Sequence, residues 1–154
     1  MPNHQDQTFE RQAFRDGELD RCEVENCHFI QCDLSNITLG EVEFVDCRFE
    51  GCNLSMLQPE QCGMKKVTFS DCKLLGVDFG KCKSFAFEVS FSRCTLDFAR
   101  FMAVPLKGAL FEGCSIREAN FTAADLTRAR FLDCNLDRAV FSRTKLEQAD
   151  LRTA

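Results

Sequence analysis

A spacing of five residues between large apolar side chains is the feature that most constrains the fold of this chain. From Phe91 to Leu151 every fifth residue is Phe, Leu or Ile, without an exception. An α-helix repeats every 3.6 residues and a strand every 2 residues, so neither alone explains a period of five. We predict that these side chains fill the interior of a repeat structure. The predicted structural core consists of Phe91, Leu96, Phe101, Leu106, Phe111, Ile116, Phe121, Leu126, Phe131, Leu136, Phe141 and Leu146.

A smaller residue lies two positions before most of these apolar residues, and in the first half of the chain it is usually cysteine. All eleven cysteines lie two residues before a position in the count of five, where alanine is the commonest residue in the second half. Cysteine behaves as a small hydrophobic residue in such a position. Their number is odd and no pair has zinc-finger spacing. We therefore predict eleven buried, reduced and unreactive thiols rather than a disulfide framework or a metal site, and no cofactor.

The apolar repeat begins at Phe9 and continues to the end of the chain. Residues 1–8 are polar and are predicted to be a loose lead-in. Residues 9–154 are then one repeat domain, since Pro59 weakens one position without shifting the count of five.

The count of five shifts once. The spacing from Phe79 to Phe91 is twelve residues, two more than two repeats, so a bulge or small loop is predicted within 80–90. This segment holds two surplus aromatic residues, Phe85 and Phe87, which either cap the seam or stand exposed. Function in a regular repeat is expected at its breaks, so both are candidate contacts for a partner.

Residue types also repeat every twenty positions. Phe91, Phe111 and Phe131 form one column at this spacing, and Phe101 and Phe121 belong to another. Residue n is therefore predicted to stack on residue n+20, with four five-residue units making one square coil. Coils that hydrogen-bond to one another stack about 4.8 Å apart. The predicted fold class is all-β, a solenoid of about seven four-sided coils.

Several units resemble a known family. The segments 119–123, 124–128 and 149–153 read ANFTA, ADLTR and ADLRT, similar to the A-[DN]-[LF]-x-x pattern of the pentapeptide repeat proteins. The resemblance extends over residues 9–153 and implies a right-handed quadrilateral β-helix. The chain departs from the commonest pattern by using cysteine at the small position through its first half.

The carboxy-terminal end of a solenoid exposes unpaired backbone unless something covers it. Only three residues follow Leu151. We expect either a homodimer or stack formed through this end, or a natural chain that continues further. In several members of the family a carboxy-terminal segment mediates dimerisation, so the resemblance implies the same arrangement here.

The charges are unevenly distributed along the chain. The net charge is −5 overall, but residues 1–80 carry 15 acidic and 7 basic side chains, whereas residues 81–154 carry 9 and 12. The first half is therefore predicted to present either a solvated face or an anionic stripe for a basic groove on a protein partner. The basic residues of the second half are too sparse for a nucleic-acid footprint. The candidate partner-binding acids are Glu18, Asp20, Glu23, Glu25, Glu41, Glu43 and Asp46.

No catalytic motif such as G-x-S-x-G or a P-loop is found, and both histidines, His4 and His28, are predicted at the surface. We therefore expect a non-enzymatic protein. The amino terminus does not resemble a signal peptide, which predicts the cytoplasm, and no apolar run could cross a membrane.

Two functions remain from the sequence. Quinolone-resistance members of the family engage DNA gyrase or topoisomerase IV in place of DNA, so the resemblance implies a DNA-mimicking partner of a type II topoisomerase. The alternative is a structural or scaffolding β-helix with another protein partner, because a fold alone does not define a function.

Overall fold

The computed structural model describes residues 3–154, which form thirteen short strands and one 3₁₀ helix, Phe79–Lys81. Every strand pairing is parallel. The strands are β1 (Asn3–Gln5), β2 (Thr8–Glu10), β3 (Glu23–Glu25), β4 (His28–Ile30), β5 (Thr38–Gly40), β6 (Glu43–Val45), β7 (Arg48–Glu50), β8 (Gln58–Glu60), β9 (Gly63–Lys65), β10 (Val67–Ser70), β11 (Val89–Ser92), β12 (Leu110–Glu112) and β13 (Arg130–Leu132).

The strands stack into the walls of a four-sided coil. Wall 1 is a seven-stranded sheet in the order β2-β4-β7-β10-β11-β12-β13, so the chain makes six turns between its first and last strand. Wall 2 consists of single bridges from Ala13↔Asp33 to Ser115↔Asn135. Wall 3 contains β5-β8, and wall 4 contains β1-β3-β6-β9. The predicted class, an all-β quadrilateral β-helix, is confirmed.

A residue with a left-handed backbone conformation (positive φ) lies at nearly every corner of the coil, and this explains the period of five. Asn36, for example, has a φ of 60°, and its amide donates to the carbonyl of Ser55 on the next coil at 3.0 Å. One extended side and one such corner use five residues, and the corner directs the chain onto the next wall. The turn also satisfies its backbone donor through the coil above it.

Two columns of phenylalanine rings on opposite walls form the core. In wall 3, Phe101 and Phe121 are stacked with ring centroids 5.0 Å apart and an angle of 2° between planes. Across the interior, Phe111 of wall 1 meets Phe121 edge to face at 6.2 Å and 86°. Both arrangements are favourable for aromatic pairs. No buried side-chain oxygen or nitrogen within residues 3–154 lacks a hydrogen-bond partner, so the interior is almost entirely apolar.

Of the side chains predicted to form the core, those from Phe91 to Phe131 are the most completely buried. Phe91, Leu96, Phe101, Leu106, Phe111, Ile116, Phe121, Leu126 and Phe131 are each at most 2% exposed. The last three, Leu136, Phe141 and Leu146, pack against the core but are only partly buried. They line the last coil of the described residues.

Residues 3–8 of the predicted polar lead-in belong to the first coil of the structure, and residues 1–2 lie outside the described residues. Strand β1 pairs in register with β3, and His4 lies opposite Val24. The imidazole of His4 also packs edge to face on Phe9 at 5.6 Å. The first coil therefore begins before the apolar pattern does, because backbone pairing requires no apolar side chain.

Candidate interaction site at the interrupted coil

The number of residues that separates two stacked positions on adjacent coils changes from twenty to twenty-two at one place. Phe69 pairs with Phe49 below it and with Phe91 above it, and Asp78 already pairs with Arg100. The two extra residues therefore lie between the 3₁₀ helix and β11, on wall 4. We call residues 83–88 the wall-4 loop.

The structure places the two surplus aromatic residues differently. Phe85 is 89% exposed, the highest value among the exposed large hydrophobic side chains, whereas Phe87 is 9% exposed and belongs to the core cluster. Phe87 fills the interior where the regular repeat would place Ser84, which is exposed. The ring of Phe87 is therefore enclosed by the coil, and of these two aromatic residues only Phe85 presents its ring at the surface. Phe85 remains the candidate.

Two lysines attach the start of this segment to the acidic half of the chain. Lys81 Nζ lies 3.0 Å from Glu60 Oε1, and Lys83 Nζ contacts Glu43 Oε1. The second contact spans two coils and passes over Gly63, where any side chain would overlap the Glu43 carboxylate. Hydrogen bonding to Glu43 raises the pKa of the Lys83 ammonium group, so Lys83 stays protonated at neutral pH.

An open notch of about 640 Å³ adjoins the wall-4 loop at the corner between walls 4 and 1. Its rim carries Lys65 and Lys66 on one coil and Lys107 two coils above. None of these three lysines forms a salt bridge within residues 3–154. Pro105 also lines the notch. Because proline has no amide hydrogen, it needs no acceptor on the displaced coil below it. Glu88 is the one acidic side chain that lines the notch, so the recess carries a net positive charge.

Three of the seven candidate acids come together on wall 4. Glu23, Glu25 and Glu43 line a concavity of about 360 Å³ with His4 and its neighbours. Glu23 and Glu43 are stacked partners on adjacent strands, and like charges at this separation repel one another. Lys83 relieves part of this repulsion through its contact with Glu43.

The other four acids are exposed at corners and do not join this concavity. Asp20 accepts a hydrogen bond from the amide of Gly40 at 2.8 Å, and Glu18 accepts one from the amide of Arg15 at 3.0 Å. Glu41 lies 3.9 Å from Arg21. Asp46 is a corner residue with a φ of 54°. Several of these carboxylates therefore stabilise turns, a role that the sequence pattern did not indicate.

The cysteines are free thiols inside the coil. Ten are buried and Cys82 is partly exposed. The Cys47 thiol donates to the carbonyl of Val24 on the coil below at 3.2 Å. Burial raises the pKa of Cys47 to about 11 and that of Cys62 to about 12. Thiols held in the protonated form are poor nucleophiles and poor metal ligands.

Both histidines make local contacts. His4 Nδ1 lies 2.8 Å from Gln7 Oε1, and His28 Nε2 lies 3.4 Å from Glu50 Oε2. Among the described residues there is no group of three or more His, Cys, Asp or Glu side chains placed to hold a metal ion. No helix in the described part of the chain is long and apolar enough to cross a membrane.

The architecture and its sequence define a β-helix built of five-residue units. The model of the pentapeptide repeat region matches residues 22–101, and the model of pentapeptide repeats in eight copies matches 106–143 and 114–152. The chain therefore belongs to the pentapeptide repeat family. No curated protein sequence matches the chain.

Solved structures of similar fold include two forms of QnrB1, a plasmid-mediated fluoroquinolone resistance protein. A trypsin-treated form is 17% identical with a TM-score of 0.45, covering 97% of this chain and 91% of that one. The full-length form is 20% identical with a TM-score of 0.44, covering 97% and 81%. HetL of the cyanobacterium Nostoc sp. strain PCC 7120, involved in heterocyst differentiation regulation, is 16% identical with a TM-score of 0.41, covering 97% and 87%.

Proposed function

We propose that this protein is a non-enzymatic interaction module that contacts its protein partner through the wall-4 loop. The observation that carries the proposal is the 89% exposure of Phe85 on a segment attached to the rod by Lys81 and Lys83. A large exposed aromatic ring gains free energy only when a partner covers it. Aromatic side chains held in a fixed place are also frequent energetic centres of protein interfaces.

The acidic concavity of wall 4 supplies the second part of the proposed contact. Glu23 and Glu25 are exposed and lie on the same wall as the loop, below it along the rod axis. A partner that covers Phe85 can therefore also present basic side chains to these carboxylates. Such charge pairing favours association rate and orientation more than affinity.

The specific partner that we propose is a type II topoisomerase, DNA gyrase or topoisomerase IV, which would place the protein in the cytoplasm. The exposed acids of the first coils support this choice, since a basic DNA-binding groove would attract them. Beyond the interruption, however, wall 4 carries Lys107 and Lys145 as well as Asp125 and Glu147. The acid is concentrated at one end, which favours a local contact over imitation of a whole duplex.

A structural scaffold with a different protein partner is the second candidate. The concentration of acid in the first coils, rather than along the whole rod, is the observation that favours it. The two candidates differ in what they bind and share the same contact surface on this chain. A test with purified gyrase separates them.

The test is a DNA supercoiling assay with purified gyrase, with and without a fluoroquinolone. We expect inhibition of supercoiling or protection from the drug at micromolar wild-type protein, and a loss of that effect in Phe85→Ser. Thr122→Ala, on the outer surface of wall 3, is the matched control and should behave as wild type. No effect of the wild-type protein at these concentrations would remove the topoisomerase as partner and leave the scaffold.

We also propose that two copies associate through the carboxy-terminal coil. Phe141 and Leu146 are only partly buried there, and Leu151 is 38% exposed. Association would remove this apolar area from water. Sedimentation equilibrium should give the mass of a dimer, and Leu151→Glu should give a monomer. A wild-type monomer at tens of micromolar would contradict the proposal.

A further inference from the structure

The ladder of backbone hydrogen bonds between coils is interrupted at the notch beside the wall-4 loop. One coil below, the amide of Asp46 donates to the carbonyl of Lys65 at 2.9 Å. Lys66 occupies the same corner on the next coil with nearly the same backbone, a φ of 55° against 54° for Asp46. The amide of Lys66, however, has no acceptor within residues 3–154. Lys66 lines the notch, so its backbone donor is available to a ligand there.

Two hydroxyl groups line the same recess. Thr68 and Ser90 are stacked partners on β10 and β11, and both belong to the wall of the notch. The serine and threonine hydroxyls that form hydrogen bonds within residues 3–154 lie elsewhere, at Ser35, Ser92, Ser115, Thr122, Thr127, Thr144 and Thr153. The hydroxyls of Thr68 and Ser90 are therefore two further donors that the chain itself does not use.

Positive charge exceeds negative charge in the notch and on the coils directly above and below it. The lining residues and their stacked neighbours carry six cationic and three acidic side chains, namely Lys65, Lys66, Lys107, Arg48, Arg128 and Arg130 against Glu88, Asp46 and Asp125. None of these nine forms a salt bridge in the part of the chain that the structure describes. The excess of positive charge is therefore not matched by acids of this chain.

The recess is not filled by side chains of the protein. Gly108 lines it, and a Cβ atom at this position would meet no heavy atom within 4 Å. Ala86 and Ala109 contribute only methyl groups to the lining. The volume of about 640 Å³ lies within the range of small-molecule sites. A ligand the size of a phosphorylated metabolite can enter without displacing any residue.

We propose that the notch binds the phosphate group of a small-molecule phosphate monoester. The amide of Lys66 and the hydroxyls of Thr68 and Ser90 donate to the phosphate oxygens, and Lys66 and Lys107 supply positive charge from two coils. The donors are spread over three successive coils. Phosphate oxygens accept hydrogen bonds in several directions, whereas the two oxygens of a carboxylate lie in one plane, so this arrangement favours a phosphate.

The position of the notch also connects it to the wall-4 loop. Ala86 and Glu88 belong to the loop and line the notch, and the loop presents Phe85 at the surface. A ligand in the notch therefore contacts the segment that carries this ring.

The test is an NMR titration of the full chain with inorganic phosphate and with glycerol phosphate. The ionic strength is kept constant with sodium chloride, so that screening alone changes nothing. Two-dimensional ¹H–¹⁵N spectra follow the amides of Lys66 and Gly108 in the notch and of Thr122 on wall 3. We expect saturable shifts at Lys66 and Gly108 with a dissociation constant of about 1 mM or below for glycerol phosphate, and no shift at Thr122.

Lys107→Gln and Thr68→Val should each weaken the binding of glycerol phosphate about fivefold or more, with unchanged unfolding temperatures. Lys73→Gln is the matched control, because it makes the same change of charge on wall 2, where Lys73 pairs with Asn53 and Thr95. It should bind as wild type.

The absence of saturable shifts at tens of millimolar phosphate would overturn the proposal. Equal losses in Lys73→Gln and Lys107→Gln would also overturn it, since they would indicate attraction by overall charge without a site. Tighter binding of a thymidine octanucleotide than of glycerol phosphate, compared at equal phosphate concentration, would assign the recess to a nucleic acid instead.

Discussion

Lys83 contacts the carboxylate of Glu43 across Gly63, joining residues that are two coils apart. This ion pair connects the interrupted coil to the acidic concavity of wall 4. The pair requires Gly63, because a larger residue there would overlap the Glu43 carboxylate. The pair holds the base of the wall-4 loop at a fixed position. Phe85 is therefore presented from a regular scaffold and not from a free chain end.

Gly63→Ala is expected to displace the Glu43 carboxylate and break its contact with Lys83. Both side chains are more than a third exposed, so the free energy of unfolding should change little. Hydrogen exchange of the amides in 83–88 should nevertheless become faster, as measured by mass spectrometry. Glu43→Gln removes the charge without crowding the strand and should have the same effect on exchange. Unchanged exchange in both variants would mean that the pair does not hold the loop.

Phe121→Ala is expected to lower the free energy of unfolding by about 3–5 kcal/mol, because it leaves a cavity in a fully buried ring column. Thr122→Ala changes an outward side chain whose hydroxyl bonds only Asn120, and should cost less than about 1 kcal/mol. Denaturant unfolding of both variants provides the comparison. Equal losses would mean that the register of inward and outward positions is wrong.

The buried thiols should make the protein less stable in alkaline solution. Below pH 9 the thiols of Cys47 and Cys62 are protonated in both states and contribute no pH dependence. Between pH 9 and their native pKa values of about 11 and 12, the unfolded chain loses protons that the native state keeps. The free energy of unfolding should therefore fall by about 1.4 kcal/mol per pH unit for each such thiol.

Denaturant titrations from pH 8 to 10.5 measure this slope. Cys62→Ala should show a smaller slope than wild type, because one titrating group is gone, and alanine fills the equivalent position at Ala124. A stability that is constant up to pH 10.5 would show that the thiols are accessible to solvent in the native state.

The sequence predicted the stacking of the coils well, because buried positions repeat their residue type. The pairing of Phe29 with Phe49, for example, follows directly from the twenty-residue column. The place of the interruption also followed from spacing. The sequence could not show which aromatic ring enters the core, since Phe85 and Phe87 are chemically identical and the loop geometry decides between them.

Outward positions were harder to predict because they carry no periodic signal. Met56 and Phe98 are 42 positions apart in the sequence but lie only two coils apart on the same corner. The sequence alone did not indicate that these two exposed side chains share one surface. His4 was missed for a related reason, since a polar residue in an interior position breaks the apolar pattern. A search for large apolar side chains at the fifth position of each unit would have found Met56 and Phe98.

The most direct test of the proposed interaction site is the affinity of purified gyrase for three forms of the protein, measured by calorimetry. We predict that wild type binds with a dissociation constant in the micromolar range or below. Phe85→Ser should bind about tenfold or more weakly with an unchanged unfolding temperature, while Thr122→Ala binds as wild type. Equal affinity of wild type and Phe85→Ser would contradict the assignment of the interrupted coil as the site, and no binding by wild type would contradict gyrase as the partner.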